Sequence, residues 1–198
     1  VTARRRILSL ARDRRGVTVI EFALILPVML VLMMGMMEIA YQAYVQSVIT
    51  GAVQKAGRDS GIQGATPATI DAKVLSQVRA VAPSAAFASG SPTRLSYTNF
   101  SQVAPEPFVD TNGNGVRNAG ECFTDINGNG QWDADAGRSG QGGANDVTVY
   151  TAQVTYNRLF PVVKLLGWAG TATLSATTTL MNQPYASQNV PSPATVCT

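Results

Sequence analysis

The sequence predicts an α+β fold: a long N-terminal transmembrane helix continuing into a domain with a second helix and a small antiparallel sheet, interrupted by an Asp/Asn/Gly-rich insertion. Three observations carry this. From Phe22 to Met37 no residue is charged, and Leu, Ile, Val and Met dominate. Ile70, Val74, Leu75 and Val78 recur at helical spacing behind a Thr66-Pro67 start. Two later stretches, 147–156 and 172–180, alternate with period two.

A chain of 198 residues has room for one membrane segment and one domain of about 130 residues. Charged residues at 14% and hydrophobic ones at 45% fit an anchored protein rather than a disordered one. The net charge of +3 misleads. Residues 1–16 hold six Arg and one Asp, whereas residues 17–198 carry nine Lys and Arg against eleven Asp and Glu. No basic patch remains, so nucleic acid is not expected as a partner. The chain has no His, which removes Ser-His and Cys-His pairs and the commonest zinc ligand. With no acid/base or nucleophile pair standing out, the reading is non-enzymatic.

Residues 1–16 read as a basic leader, and Val1 in place of Met leaves an alternative start or a trimmed chain open. A helix is predicted over 17–58, transmembrane over about 17–40. From Val17 those 24 residues reach about 36 Å, enough for a hydrocarbon core of about 30 Å with some tilt. The stretch is too long for a signal-peptide core, and Glu38, Gln42 and Gln46 continue its helical rhythm. Six Arg before the span put the N-terminus in the cytoplasm and export residues 59–198 to the periplasm. Glu21 has a local explanation, since Thr18-Val19-Ile20-Glu21 matches a capping box. Pro27 removes one donor inside the span and predicts a kink.

Beyond the membrane, Ala43, Ser47 and Gly51 form a strip of small residues beside Tyr41, Tyr44, Val48 and Ala52, fit to pack on the domain itself or on neighbouring helices. Gly57, Gly61 and Gly64 end this helix. The next begins at Thr66-Pro67 and ends by Pro83, and residues 84–92 read as a loop. Residues 94–100 read as a strand, 105–145 as the insertion, and 147–156 as a second strand. An apolar turn over 159–167 leads to the closing strand 172–180, and the tail from Asn182 reads as irregular.

The order of basic leader, Gly16, Val17, Glu21 at the fifth position after the glycine, and apolar helix resembles the processing site of type IV pilins. The run Glu21-Phe22-Ala23-Leu24-Ile25-Leu26-Pro27, then Leu32, Gly35 and Glu38, is similar to the TadE-like family of minor pseudopilins of tight-adherence (Flp) pilus systems. The resemblance covers residues 14 to about 58 and returns more weakly as strand, apolar Pro-containing turn and strand in the C-terminal third. It implies cleavage between Gly16 and Val17 by a prepilin peptidase. It further implies an inner-membrane location, pilin and pseudopilin subunits and an inner-membrane assembly platform as partners, and incorporation in a surface pilus as one fate. Glu21 would meet the new α-amine on Val17 of a neighbouring subunit. Two rivals stand beside it: a pseudopilin of type II secretion, which usually has Phe after the cleaved Gly, and an uncleaved, membrane-anchored calcium-binding envelope protein.

That calcium reading comes from the insertion. Asp110, Asn112, Asn114, the Val116 carbonyl, Asn118 and Glu121 fill positions 1, 3, 5, 7, 9 and 12 of an EF-hand loop, with Gly115 at 6. Fifteen residues on, Asp125, Asn127, Asn129, the Gln131 carbonyl and Asp133 repeat positions 1 to 9. Position 12 is there Ala136, with Asp135 one residue early. The plainer alternative is a pair of Asn-Gly turns. With few carboxylates, affinity is expected at about 10⁻⁴–10⁻³ M. The only two cysteines, Cys122 and Cys197, both exported, are expected to pair.

Overall fold

A computed structural model describes residues 17–60, 66–160, 164, 167, 169–184 and 187–197. The leader, with Gly16, and the helix-ending Gly61 and Gly64 lie outside the described residues. The chain divides into two compact units, one of residues up to Ala43 with Arg158–Gly170, the other of Tyr44–Asn157 with Thr171–Thr198.

Helix α1 runs unbroken over Val17–Ser60, with Pro27 inside it. Val17 is already helical, which puts Thr18 within the first turn and leaves no Thr18 N-cap for Glu21 to reciprocate. The expected capping box is therefore not formed. In the first unit the most apolar stretch of α1 buries nothing, and it is long and apolar enough to cross a membrane.

In the second unit α1 buries Val45, Ile49, Ala52, Val53 and Ala56. The small strip of Ser47 and Gly51 lies on the exposed side instead. Helix α2, Pro67–Arg79, starts as the sequence predicts: Thr66 Oγ1 accepts the Thr69 N–H, and Pro67 occupies the first turn. It stops at Arg79, earlier than Pro83, because the chain turns through Ala82, the pre-proline residue that disfavours helix. Ile70, Val74 and Val78 are its buried face, with Leu75 at the margin.

The main sheet is antiparallel and centred on β5, Val147–Asn157. One long side pairs with β6, Thr171–Met181, from Val147↔Met181 to Asn157↔Thr171. The other side takes β2, Thr93–Tyr97, and β1, Ala86–Phe87, a two-residue strand where a loop was expected. Strand β2 ends at Tyr97, and Phe100 belongs to a 3-10 turn, Phe100–Gln102. Strand β4, Arg138–Ser139, extends the sheet beyond β2. Alternation divides β5 from Thr148 onward. Thr148, Tyr150, Ala152, Val154 and Tyr156 are buried, while Thr151 and Thr155 bond Thr177 and Thr173 of β6 on the other face. Asp71 of α2 locks helix to sheet by accepting from Arg94 of β2 and from the Tyr150 hydroxyl of β5 (2.8 Å). A Cβ at Gly57 of α1 would come 3.0 Å from Thr178 Cγ2, which explains glycine at that crossing.

A second sheet pairs β3, Cys122–Asp125, with β7, Ala194–Cys197, and a disulfide joins Cys122 to Cys197 across it. The insertion is thus not structureless, nor is the tail irregular throughout. Phe123 is buried, Phe108 bridges to it, and Trp132 stands edge-on to Phe108 at 6.1 Å. Strand pairing, not a core of its own, holds the segment.

Candidate functional site

The duplicated loops form one connected hydrogen-bond system. In the first, Asp110 Oδ1 accepts the N–H of Gly113 (2.7 Å) and Asn114 (3.2 Å), and Oδ2 that of Gly115 (2.7 Å). Asn112 Oδ1 accepts from the Asn114 amide and Asn114 Oδ1 from the Val116 amide. Gly113 and Gly115 hold φ of 74° and 76°, a region closed to most side chains, which is why the turn is written Asn-Gly-Asn-Gly. Buried Glu121 closes the loop: Oε1 accepts the N–H and hydroxyl of Thr111 (2.9 Å each), and Oε2 the N–H of Asn118 (2.8 Å). Asn118 Nδ2 in turn donates to the Val116 carbonyl at 2.7 Å.

The second loop repeats this nearly bond for bond. Asp125 Oδ1 accepts from Gly128 (2.7 Å) and Asn129 (3.2 Å), and Oδ2 from Gly130 (2.7 Å). Asn127 Oδ1 accepts the Asn129 amide, and Asn129 Oδ1 the Gln131 amide. The side-chain amides of Asn127 and Asn129 converge on Asp133 Oδ2, at 2.8 and 2.7 Å. The closing carboxylate is Glu106, which spacing within the loop does not reveal. Its Oε1 accepts the Ile126 N–H (2.7 Å) and its Oε2 the Asp133 N–H (3.0 Å), the same two loop positions that Glu121 serves in the first copy. Asp135 is not part of this loop's bonds. Its Oδ1 accepts the Tyr97 hydroxyl (2.6 Å) and the Gly137 N–H (3.0 Å), and Ala136 at position 12 is buried.

A signal for Glu106 lies in the sequence. Glu106-Pro107-Phe108-Val109-Asp110 and Glu121-Cys122-Phe123-Thr124-Asp125 share Glu-x-Phe-x-Asp, so the repeat begins four residues before each loop. These leaders run antiparallel, with Val109 N donating to Cys122 O and Thr124 N to Pro107 O, both at 2.8 Å. Each glutamate therefore stands at the entrance of one loop and closes the other.

Charge follows from these bonds. The Gly115 N–H leads the donors that hold the Asp110 carboxyl below its ordinary range, and the Asn118 N–H does the same for Glu121. The donor set offered by each loop is all oxygen, which suits a hard cation such as calcium. Among the described residues no three of Asp, Glu, His and Cys stand close enough to hold an ion by themselves. Any cation would therefore need the Asn and backbone oxygens as well.

In the first unit, Val17 opens the described helix and is 45% exposed, and Glu21 projects from the exposed apolar stretch. Gly16, the other half of the expected cleavage site, lies outside the described residues. Glu38 behaves differently from the residues before it. It is buried, with Oε2 accepting the N–H of Leu159 (3.1 Å) and Phe160 (3.2 Å) and Oε1 facing Arg158 Nη1 at 3.6 Å.

Residues 16–58 match the family model of TadE-like protein. No curated protein and no solved structure matches the chain. The matched segment starts at the glycine before Val17 and ends two residues before α1 does, so it comprises nearly the whole helix. A TadE-like segment points to a function associated with the Tad/Flp pilus.

Proposed function

We propose that this chain is a minor pseudopilin, cut between Gly16 and Val17 by a prepilin peptidase and acting in assembly of a Flp-type pilus. The observation that carries the reading is the TadE-like match over 16–58, aligned with an exposed apolar helix that has one carboxylate, Glu21, near its start. Cleavage would leave a cationic α-amine on Val17, with a pKa of about 8, four residues before Glu21. In an assembling bundle the Glu21 of one subunit then pairs with the amine of its neighbour, relieving a charge that is costly in hydrocarbon. The chain sits in the inner membrane with its N-terminus in the cytoplasm and its domain in the periplasm. Its partners are the peptidase, other pilin-like subunits and the inner-membrane assembly platform.

The duplicated loops add a calcium-dependent element to the domain. Asp110, Asn112, Asn114, the Val116 carbonyl, Asn118 and Glu121 would hold one ion. Asp125, Asn127, Asn129, the Gln131 carbonyl, Asp133 and Glu106 would hold the other. Bound calcium supplies charge that neutralises these carboxylates and so orders the loops. The matched, all-oxygen hydrogen-bond sets of the two loops support this part of the reading.

Intact mass and N-terminal sequencing of protein from native envelopes test the processing step. The expected mature terminus is Val17, and a mature chain still carrying residues 1–16 refutes it. For the loops, millimolar calcium should slow proteolysis within 105–145 and change Trp132 emission. A null response of both leaves them as ordinary turns.

A further inference from the structure

We propose that the start of the β5–β6 connection, Arg158–Phe160, rests in the headgroup layer of the bilayer that α1 crosses, and that Glu38 pins it there. The proposal rests on the membrane reading of α1. Glu38 follows Val17 by 21 residues, which puts it about 32 Å along the helix, at the far edge of a hydrocarbon core of about 30 Å.

At that level α1 changes character. Its apolar side chains up to Met37 are exposed or half-exposed, yet the carboxylate of Glu38 is 2% exposed. A buried carboxylate is stable only when its charge is met. The connection meets it. Leu159 and Phe160 give their amides to Oε2, and Arg158 stands 3.6 Å from Oε1. Oε1 accepts no hydrogen bond among the described residues, so its compensation is the guanidinium charge. Arg158 is held in turn by Gln42 Oε1 (3.4 Å) and by the Ala169 carbonyl (3.1 Å), which returns the far end of the connection to the same arginine. Two ends of the connection are thereby fixed at one height on α1.

The sequence of the connection is apolar. Residues 159–168 read Leu-Phe-Pro-Val-Val-Lys-Leu-Leu-Gly-Trp, with one charge among them. The strands on either side are rich in threonine, so this character is confined to the connection. Leu159 is 52% exposed, an odd placement beside water for the first residue of such a run. Beside headgroups it is ordinary. The exposed Lys164 side chain can reach phosphates while its stem stays in the apolar layer. Arg158 is committed to Glu38, so the phospholipid interface, and not an acidic protein surface, is the occupant the chemistry fits.

The test uses the full chain in phosphatidylcholine–phosphatidylglycerol vesicles, with an environment-sensitive fluorophore on Leu159→Cys. Cys122 and Cys197 are joined, so the added thiol takes the label. Nitroxide lipids labelled near the headgroup should quench this probe more than lipids labelled at mid-chain, and a probe on Leu30→Cys should show the reverse order. Adding Glu38→Ala should remove quenching at position 159 and leave that at position 30. Quenching at 30 without quenching at 159 overturns the proposal, as does quenching at 159 that survives Glu38→Ala. An emission shift at 159 that grows with protein concentration without lipid quenching assigns the surface to a second copy and also overturns it. Loss of quenching at 30 itself would instead refute the membrane reading beneath it.

Discussion

Glu106 and Asp135 make the sharpest contrast at the scale of single residues. Sequence spacing offers Asp135 as the stand-in for the missing twelfth residue of the second loop, but Glu106 makes the bonds. Glu106→Gln replaces one acceptor oxygen by an N–H₂ group facing a buried amide, a loss of about 1–3 kcal/mol for the donor left unpaired. Amide hydrogen exchange at Ile126 or Asp133 should quicken in this variant, with Thr111 and Asn118 of the first loop little changed. Asp135→Ala should do neither, and should instead release the Tyr97 hydroxyl. Trp132 Nε1 donates to the Glu106 carbonyl at 2.9 Å, so its emission should also report the Glu106 change. The first loop carries its own prediction with pH. Asp110 and Glu121 have folded pKa values below their unfolded ones, so the stability they contribute is present above the unfolded values, about 3.9 and 4.3, and is lost as pH falls through the lowered folded ones. The amide resonances of Gly113, Gly115 and Asn118 should hold their positions at pH 5 and move only in more acid solution.

Among the elements, those legible in the sequence are the ones that carry their own periodicity. Helix α1 shows its apolar run, α2 its Thr66-Pro67 start and three-and-four spacing, and β5 and β6 their alternation over eleven residues each. Strands β1 and β4 have two residues, too short for a period, and exist because β5 and β2 offer them open edges. Strand β7 is set by a partner far away in the chain, β3, and nothing local in Ala194–Cys197 announces it. Glu106 escaped for a related reason: a residue that precedes one loop closes the other, so spacing within a loop cannot find it. Asp71 shows how the readable elements are tied. Its position on α2 lets one carboxylate hold Arg94 of β2 and Tyr150 of β5, and Arg94 also lies over the Tyr150 ring at 4.5 Å. Burial together with the Asp71 bond raises the Tyr150 pKa well above the ordinary tyrosine value. Asp71→Ala should destabilise the domain by about 1–3 kcal/mol, as urea unfolding would measure, and should let Tyr150 ionise at lower pH in an ultraviolet titration.

For the whole molecule, the features assigned to membrane assembly and those assigned to calcium fall in different compact units and share no side chain. Glu21 lies in the first; Asp110, Glu121, Glu106 and Asp125 lie in the second. This separation makes the two halves of the proposed function independently breakable. Glu21→Val removes the one carboxylate near the start of the apolar stretch, and a charge of this kind costs about 2.5–3.5 kcal/mol at mid-bilayer and less near the interface. Insertion of the variant helix should therefore be at least as favourable as before. Gly16 and Val17 remain, so processing should continue, and calcium should still protect 105–145 from protease. What should be lost is association, because the α-amine of a neighbouring subunit then has no carboxylate to meet. Cross-linking or co-purification with pilin subunits from native envelopes measures this, beside an N-terminal sequence that reports cleavage. A Glu21→Val chain that is cut at Val17 and still joins its partners at the normal level would show that Glu21 does not direct assembly. Asp110→Ala should give the opposite pattern, with normal processing and association and no calcium protection of the first loop.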